Sequence, residues 1–124
     1  MSKINSFRDL DVYQKLFALH LDIHEISLTF PKFELYELGS QIRRSSNSAP
    51  ANTAEGWNNQ HTNIYLEALN RAIGECQETQ HHLSVSLSKK YITGDQFTDM
   101  DDRYQECIKM LHGLRKSLRY KRKN

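Results

Sequence analysis

Seven side chains near the C-terminus, Phe97, Met100, Tyr104, Cys107, Leu111, Leu114 and Leu118, follow one another at steps of 3, 4, 3, 4, 3 and 4 residues. A repeat of that period puts every member on one stripe of an α-helix and on no single face of a strand. A striped helix cannot cover its own stripe, so such a chain must pack helix against helix. Val12, Leu16, Leu19, Ile23, Ile26 and Phe30 repeat the pattern at 4, 3, 4, 3 and 4. Leu66, Leu69, Ile73, Cys76, Leu83 and Leu87 keep the same phase, with Gln80 in the gap. A further register, Leu38, Ile42, Ser45, Ala49 and Asn52, loses apolar character as it proceeds. No segment carries convincing strand alternation.

Local signals place the helices at about 9–30, 36–56, 62–90 and 94–120. Ser6 or Asp9 is expected to cap the first. Pro31 is expected to end it, because the residue before a proline is pushed out of helical geometry. Pro50 lies well inside the second helix and predicts a kink near Ser45 to Ala49, or two pieces. Gly56 suits a C-terminal stop, and Trp57 to His61 read as a loop. Lys89 and Lys90 suit the end of the third helix. Thr93 and Gln96 have capping-box spacing ahead of the fourth. The expected fold is all-α, an antiparallel up-down-up-down four-helix bundle forming a single domain over 1–124.

Charge divides the chain unevenly. Seventeen Lys and Arg stand against fifteen Asp and Glu, a formal net charge of +2. Residues 115–124 hold six basic residues and no acid, so the rest of the chain is net acidic. Arg115, Lys116, Arg119, Lys121, Arg122 and Lys123, set around Tyr120, are candidate nucleic-acid-binding residues: cations attract phosphate and an aromatic ring can stack on a base. The same cations also suit a solvated helix C-terminus.

Gln41, Arg44, Ser48, Asn52 and Glu55 are spaced 3, 4, 4 and 3, a polar stripe on one face of the second helix. Glu75, Glu78 and His82 share a face of the third. A buried arginine or carboxylate is tolerable only when paired. Arg44 is therefore expected to pair with Glu78 or Glu75, and Asn52 and Glu55 to bond to neighbouring helices, in a structural network that sets helix register.

Other chemistries find less support. Glu78-Thr79-Gln80-His81 is one Glu-x-x-His unit, where a carboxylate di-iron bundle needs two and further glutamates. His20 and His24 are four apart, with nothing evident to complete a metal sphere. Cys76 and Cys107 fall on apolar seams, as small core residues without a disulfide framework. No phosphate-binding glycine loop or nucleophile elbow is present. No cofactor and no enzymatic activity are expected. No stretch approaches the ~18 apolar residues of a membrane span. The N-terminus lacks a hydrophobic signal region, so a cytoplasmic setting is expected.

Several blocks together carry a resemblance. They are Phe7 to Lys15, the Gln41-Ile42-Arg43-Arg44 segment leading to Ser48-Ala49-Pro50-Ala51-Asn52-Thr53-Ala54-Glu55-Gly56, Ala72-Ile73-Gly74 with Glu78, and Met110 to Leu118. In this order the chain resembles the four-helix-bundle proteins encoded in intervening sequences of bacterial 23S ribosomal RNA genes. Ala49, Thr53 and Glu75 depart from that family's pattern. The resemblance implies a homo-oligomer. Related bundles, including the accessory variability determinant of diversity-generating retroelements, form five-membered barrels, so a pentamer is expected; no enzymatic activity comes with the family. The leading functional expectation is a non-catalytic oligomer that binds RNA or DNA through a basic C-terminal rim. A protein-binding scaffold with no nucleic-acid role is the alternative.

Overall fold

The computed structural model describes residues 3–123, apart from the side chains of 122 and 123. Its main elements are α1 (Asp11–Ser27), α2 (Leu38–Gly56), α3 (Thr62–Ser88) and α4 (Gly94–Lys123), with short 3-10 turns at Phe7–Asp9 and Lys32–Glu34. No strand occurs among the described residues.

Helix ends follow local hydrogen bonding. Ser6 caps the first 3-10 turn and not α1. Its hydroxyl accepts from the Arg8 amide at 3.2 Å, while the Asp9 carboxylate accepts from the Ser6 amide at 3.1 Å. Asp9 thus reaches back along the chain, and α1 begins after Leu10 with no side-chain cap. At its far end α1 stops at Ser27, earlier than the proline alone implies, and Phe30 turns back to bury itself against Tyr91 with ring centroids 5.2 Å apart. α3 ends at Ser88, where Lys90 takes a left-handed φ of 66° and the Tyr91 amide returns to the Ser86 carbonyl at 2.9 Å. That is the geometry in which a helix most often places glycine. Thr93 and Gln96 bond each other's backbone amides at 3.1 and 2.8 Å and open α4.

α2 passes through Pro50 as one helix and is not divided into two pieces. Proline removes one donor, but Ala49, Pro50 and Thr53 are all buried, so packing holds the helix on both sides of the gap. Gly56 closes α2 without a left-handed φ. Its role is spatial: a Cβ there would lie 2.2 Å from the Cβ of Ala68 on α3.

Ser45 meets Thr79, and Gly56 meets Ala68. Lys15 meets Glu106 at 3.1 Å and Asp22 meets Arg103 at 2.9 Å. Both sets of pairs run in opposite chain directions, α2 against α3 and α1 against α4. The core between the helices holds Leu16, Leu19, Ile23, Ile42, Leu69, Leu83, Tyr104 and Leu111, all fully buried. Each buried leucine or isoleucine contributes about 1.5–3 kcal/mol. The 30 residues of α4 span about 45 Å and the 17 of α1 about 25 Å. The last buried residue of α4 is Leu111; Leu114 and Leu118 are partly covered, and the basic run lies around and beyond them.

Candidate functional site

The interior of α2 is polar, but in a different phase from the expected stripe. The Leu38–Ile42 stripe continues through Ser45, Ser46, Ala49, Thr53 and Gly56, all buried. Ser45 Oγ and Thr79 Oγ1 lie 2.7 Å apart, and Thr79 Oγ1 is 2.9 Å from the Glu75 carbonyl. Each hydroxyl also has a carbonyl of its own helix in reach, Ile42 at 3.4 Å for Ser45 and Glu75 for Thr79, so either can donate across the pair. Thr53 returns its hydroxyl to the Ala49 carbonyl at 2.9 Å. Small hydroxyl residues can satisfy themselves on their own helix this way, which lets two helices approach closely without a stranded donor.

Gln41, Arg44, Ser48, Asn52 and Glu55 sit on the flank of α2, with Gln41, Arg44 and Glu55 exposed. Arg44 Nη2 lies 3.8 Å from Glu78 Oε2, with the two side chains 69% and 39% exposed. Asn52 bonds the Ser48 carbonyl of its own helix at 2.8 Å, not a neighbouring helix. Glu75 has one buried carboxylate oxygen without a hydrogen-bond partner. Burial first, and Glu78 second, push its pKa up, against Arg44. The surface position explains why Arg44 needs no fuller pairing: water solvates its remaining donors.

The carboxylate that is fully enclosed is Glu34, for which the sequence offers no periodic signal. It is 1% exposed. Its oxygens accept from Tyr91 Oη at 2.8 Å, Lys89 Nζ at 3.0 Å and the Leu38 amide at 3.3 Å.

On the basic end, Lys116, Arg119 and Lys121 are exposed on α4, and Tyr120 is 70% exposed. Arg115 differs from them. It is half-buried, with Nη1 3.2 Å from His112 Nδ1 and a buried Nε that has no hydrogen-bond partner. Arg122 and Lys123 lie outside the described side chains.

The metal fragments do not converge. Glu78 meets His82 at 3.3 Å, one turn on, and not His81, which is exposed. His20 bonds Ser46 at 2.8 Å. Among the described residues no three His, Cys, Asp or Glu side chains gather to hold a metal ion. Burial pushes the thiol of Cys107 up to about 11 and that of Cys76 further, so neither is a thiolate at neutral pH. No helix among the described residues is long and apolar enough to cross a membrane.

A recess between α1 and α2 has no counterpart in the sequence reading. Phe7, Tyr13 and Phe17 wall a groove of about 200 Å³ over Pro50, Ala51 and Ala54, with His20 and Asn47 at its border. The residues stand off the apolar seams, so heptad periodicity passes over them. Their signal is an aromatic cluster opposite the small residues of α2.

These features define a helical bundle with a polar, closely approached α2–α3 contact and a basic helix end. Residues 8–113 match the family described as 23S rRNA-intervening sequence protein, and the chain belongs to that family. It is also similar to a protein of unknown function from the S23 ribosomal protein family of Bacteroides thetaiotaomicron VPI-5482, whose crystal structure was determined at 1.70 Å. The two share 27% identity and a TM-score of 0.74, over 85% of this chain and 98% of the other. A comparison with curated proteins returns no significant match. Neither description names a catalytic activity.

Proposed function

We propose that this chain is a non-catalytic oligomer that binds nucleic acid through its basic C-terminal helix end. The observation that carries the reading is the exposed set Lys116, Arg119 and Lys121, projecting from α4 past its last buried residue, in a run with no acid. Helical backbone spaces these cations regularly, and Arg122 and Lys123 extend the run. In a ring of five copies, the assembly that the resemblance implies, the run repeats around one rim and raises avidity without new contacts.

Binding of this kind depends steeply on salt and weakly on sequence. The test is fluorescence anisotropy with labelled RNA and DNA across a salt series, with assembly mass measured by light scattering. The variant Lys116→Gln/Arg119→Gln/Lys121→Gln should keep the mass and lose most of the affinity. Absence of binding by the intact protein at low salt would overturn the reading. It would favour a protein-binding scaffold, to which exposed Phe33 and Tyr36, 68% and 86% exposed near the start of α2, are suited.

A further inference from the structure

We infer that the groove between α1 and α2 is a stacking site for a single unpaired nucleobase. This inference rests on the nucleic-acid reading above and deepens it, adding base recognition to phosphate contact.

The walls of the groove form an aromatic row. Phe7 and Tyr13 meet edge to face with centroids 5.0 Å apart, and Tyr13 and Phe17 follow at 6.0 Å. Phe17 leaves 48% of its surface open. The floor is Pro50, Ala51 and Ala54, residues too short to fill the space beneath the rings. A recess of about 200 Å³ is below the range of drug-sized ligand pockets, and suits one planar ring system. Base stacking on aromatic side chains is tolerant of sequence, because every base has a π-face.

The groove also has a polar border. Ser46 Oγ donates to the Arg43 carbonyl at 3.1 Å, and a hydroxyl has one hydrogen. His20 Nδ1 lies 2.8 Å from the Ser46 hydroxyl and donates to it in the Nδ1–H tautomer. A neutral imidazole with its proton on Nδ1 keeps Nε2 as an acceptor, the group a base N–H requires. Asn47, exposed at the same border, offers an amide.

The aromatic lining and its position on the bundle suit an unpaired base. No lining residue is acidic. The Arg8 guanidinium lies 4.5 Å from the centroid of the Phe7 ring. The start of α1 shares its end of the bundle with the C-terminal part of α4, since Leu10, Asp11 and Val12 border the same cavity as Met110, Gly113 and Leu114. In this inference a strand with its phosphates on the basic run of α4 approaches the groove from this end of the bundle.

The experiment compares a labelled oligothymidylate with an abasic strand of equal length, by anisotropy on the full chain. Two variants accompany the wild type. Phe17→Ala removes a wall from a half-exposed position, and Ala51→Leu fills the floor from an exposed one. The wild type should bind the thymidylate at least about fivefold more tightly than the abasic strand. Both variants should erase that preference while keeping the affinity for the abasic strand and the assembly mass. Equal affinity of the wild type for the two strands, with loss in the Lys116/Arg119/Lys121 variant, overturns the groove and leaves the nucleic-acid reading standing. Binding of neither strand overturns both. A change of assembly mass in Phe17→Ala overturns the inference in favour of a contact between copies.

Discussion

The Tyr91 hydroxyl donates to the Glu34 carboxylate at 2.8 Å, across 57 residues of chain. With Lys89 Nζ and the Leu38 amide on the same carboxylate, it ties the start of α2 to the α3–α4 corner. Hydrogen bonds from Tyr91 first and Lys89 second hold the Glu34 carboxyl below the usual carboxylate range, against burial, which pushes it upward. A depressed carboxyl pKa stabilises the fold above its unfolded value of about 4.3, and that contribution is lost as pH falls through the folded value. Urea denaturation of the wild type should therefore show stability falling in this acidic window. Glu34→Gln should be less stable than wild type at pH 7 and lose less between pH 7 and pH 3. Parallel pH profiles for the two proteins would rule out the tie.

Gly56 and Gly74 should respond oppositely to alanine. A Cβ at Gly56 meets Ala68 at 2.2 Å, so Gly56→Ala must push α2 from α3, at a cost of about 1–3 kcal/mol. Gly56→Ala combined with Ala68→Gly should recover part of that loss. Gly74 lies inside α3 with nothing within 4 Å of its added Cβ, and Gly74→Ala should gain about 0.5–1 kcal/mol. Thermal melts of the four proteins decide the matter. Equal destabilisation at both glycines would remove the argument from close approach.

Lys90 occupies a left-handed φ of 66° at the end of α3. Left-handed backbone costs a residue with a Cβ roughly 1–2 kcal/mol, part of which glycine returns through its larger unfolded-state entropy. Lys90→Gly should raise stability by about 0.5–1 kcal/mol, measured by chemical denaturation. A loss instead would show that the lysine side chain contributes more than its backbone strain costs.

The interior hydroxyl pair and the surface ion pair of α2 should differ in weight. A double-mutant cycle of Ser45→Ala and Thr79→Val should give a coupling of about 0.5–1.5 kcal/mol, the net value of one hydrogen bond. Arg44→Met removes an exposed contact of 3.8 Å and should change stability by less than about 1 kcal/mol. A larger effect for Arg44→Met than for either hydroxyl substitution would place the register-setting contact on the flank of the helix.

The helices of this protein are written into its seams. Phe97 to Leu118 and Val12 to Phe30 recur at a helical period, and water alone makes such stripes seek each other. The Thr93–Gln96 box is equally local, because its donors and acceptors are three residues apart. Beyond Ala49 in α2 the sequence leaves the phase open. Periodicity carries the inner register correctly through Ser45 and Ala49, but alanine, asparagine and threonine then follow with little hydrophobic contrast, and it runs on to Asn52 where Thr53 is the residue enclosed. The close approach of α3 at Ala68 decides it, by admitting small side chains and self-bonded hydroxyls and leaving Arg44 to water. Glu34 lies in a short turn with no repeat, and its partners Lys89 and Tyr91 come from the other side of the chain. The aromatic groove has the same origin: Phe7, Tyr13 and Phe17 acquire a shared space only when α2 presents Pro50, Ala51 and Ala54 beneath them. Sequence by itself determined which segments are helical and that their stripes must meet. Tertiary structure decided which polar groups are enclosed and which surfaces are left open, because burial and distance are properties of two segments brought together.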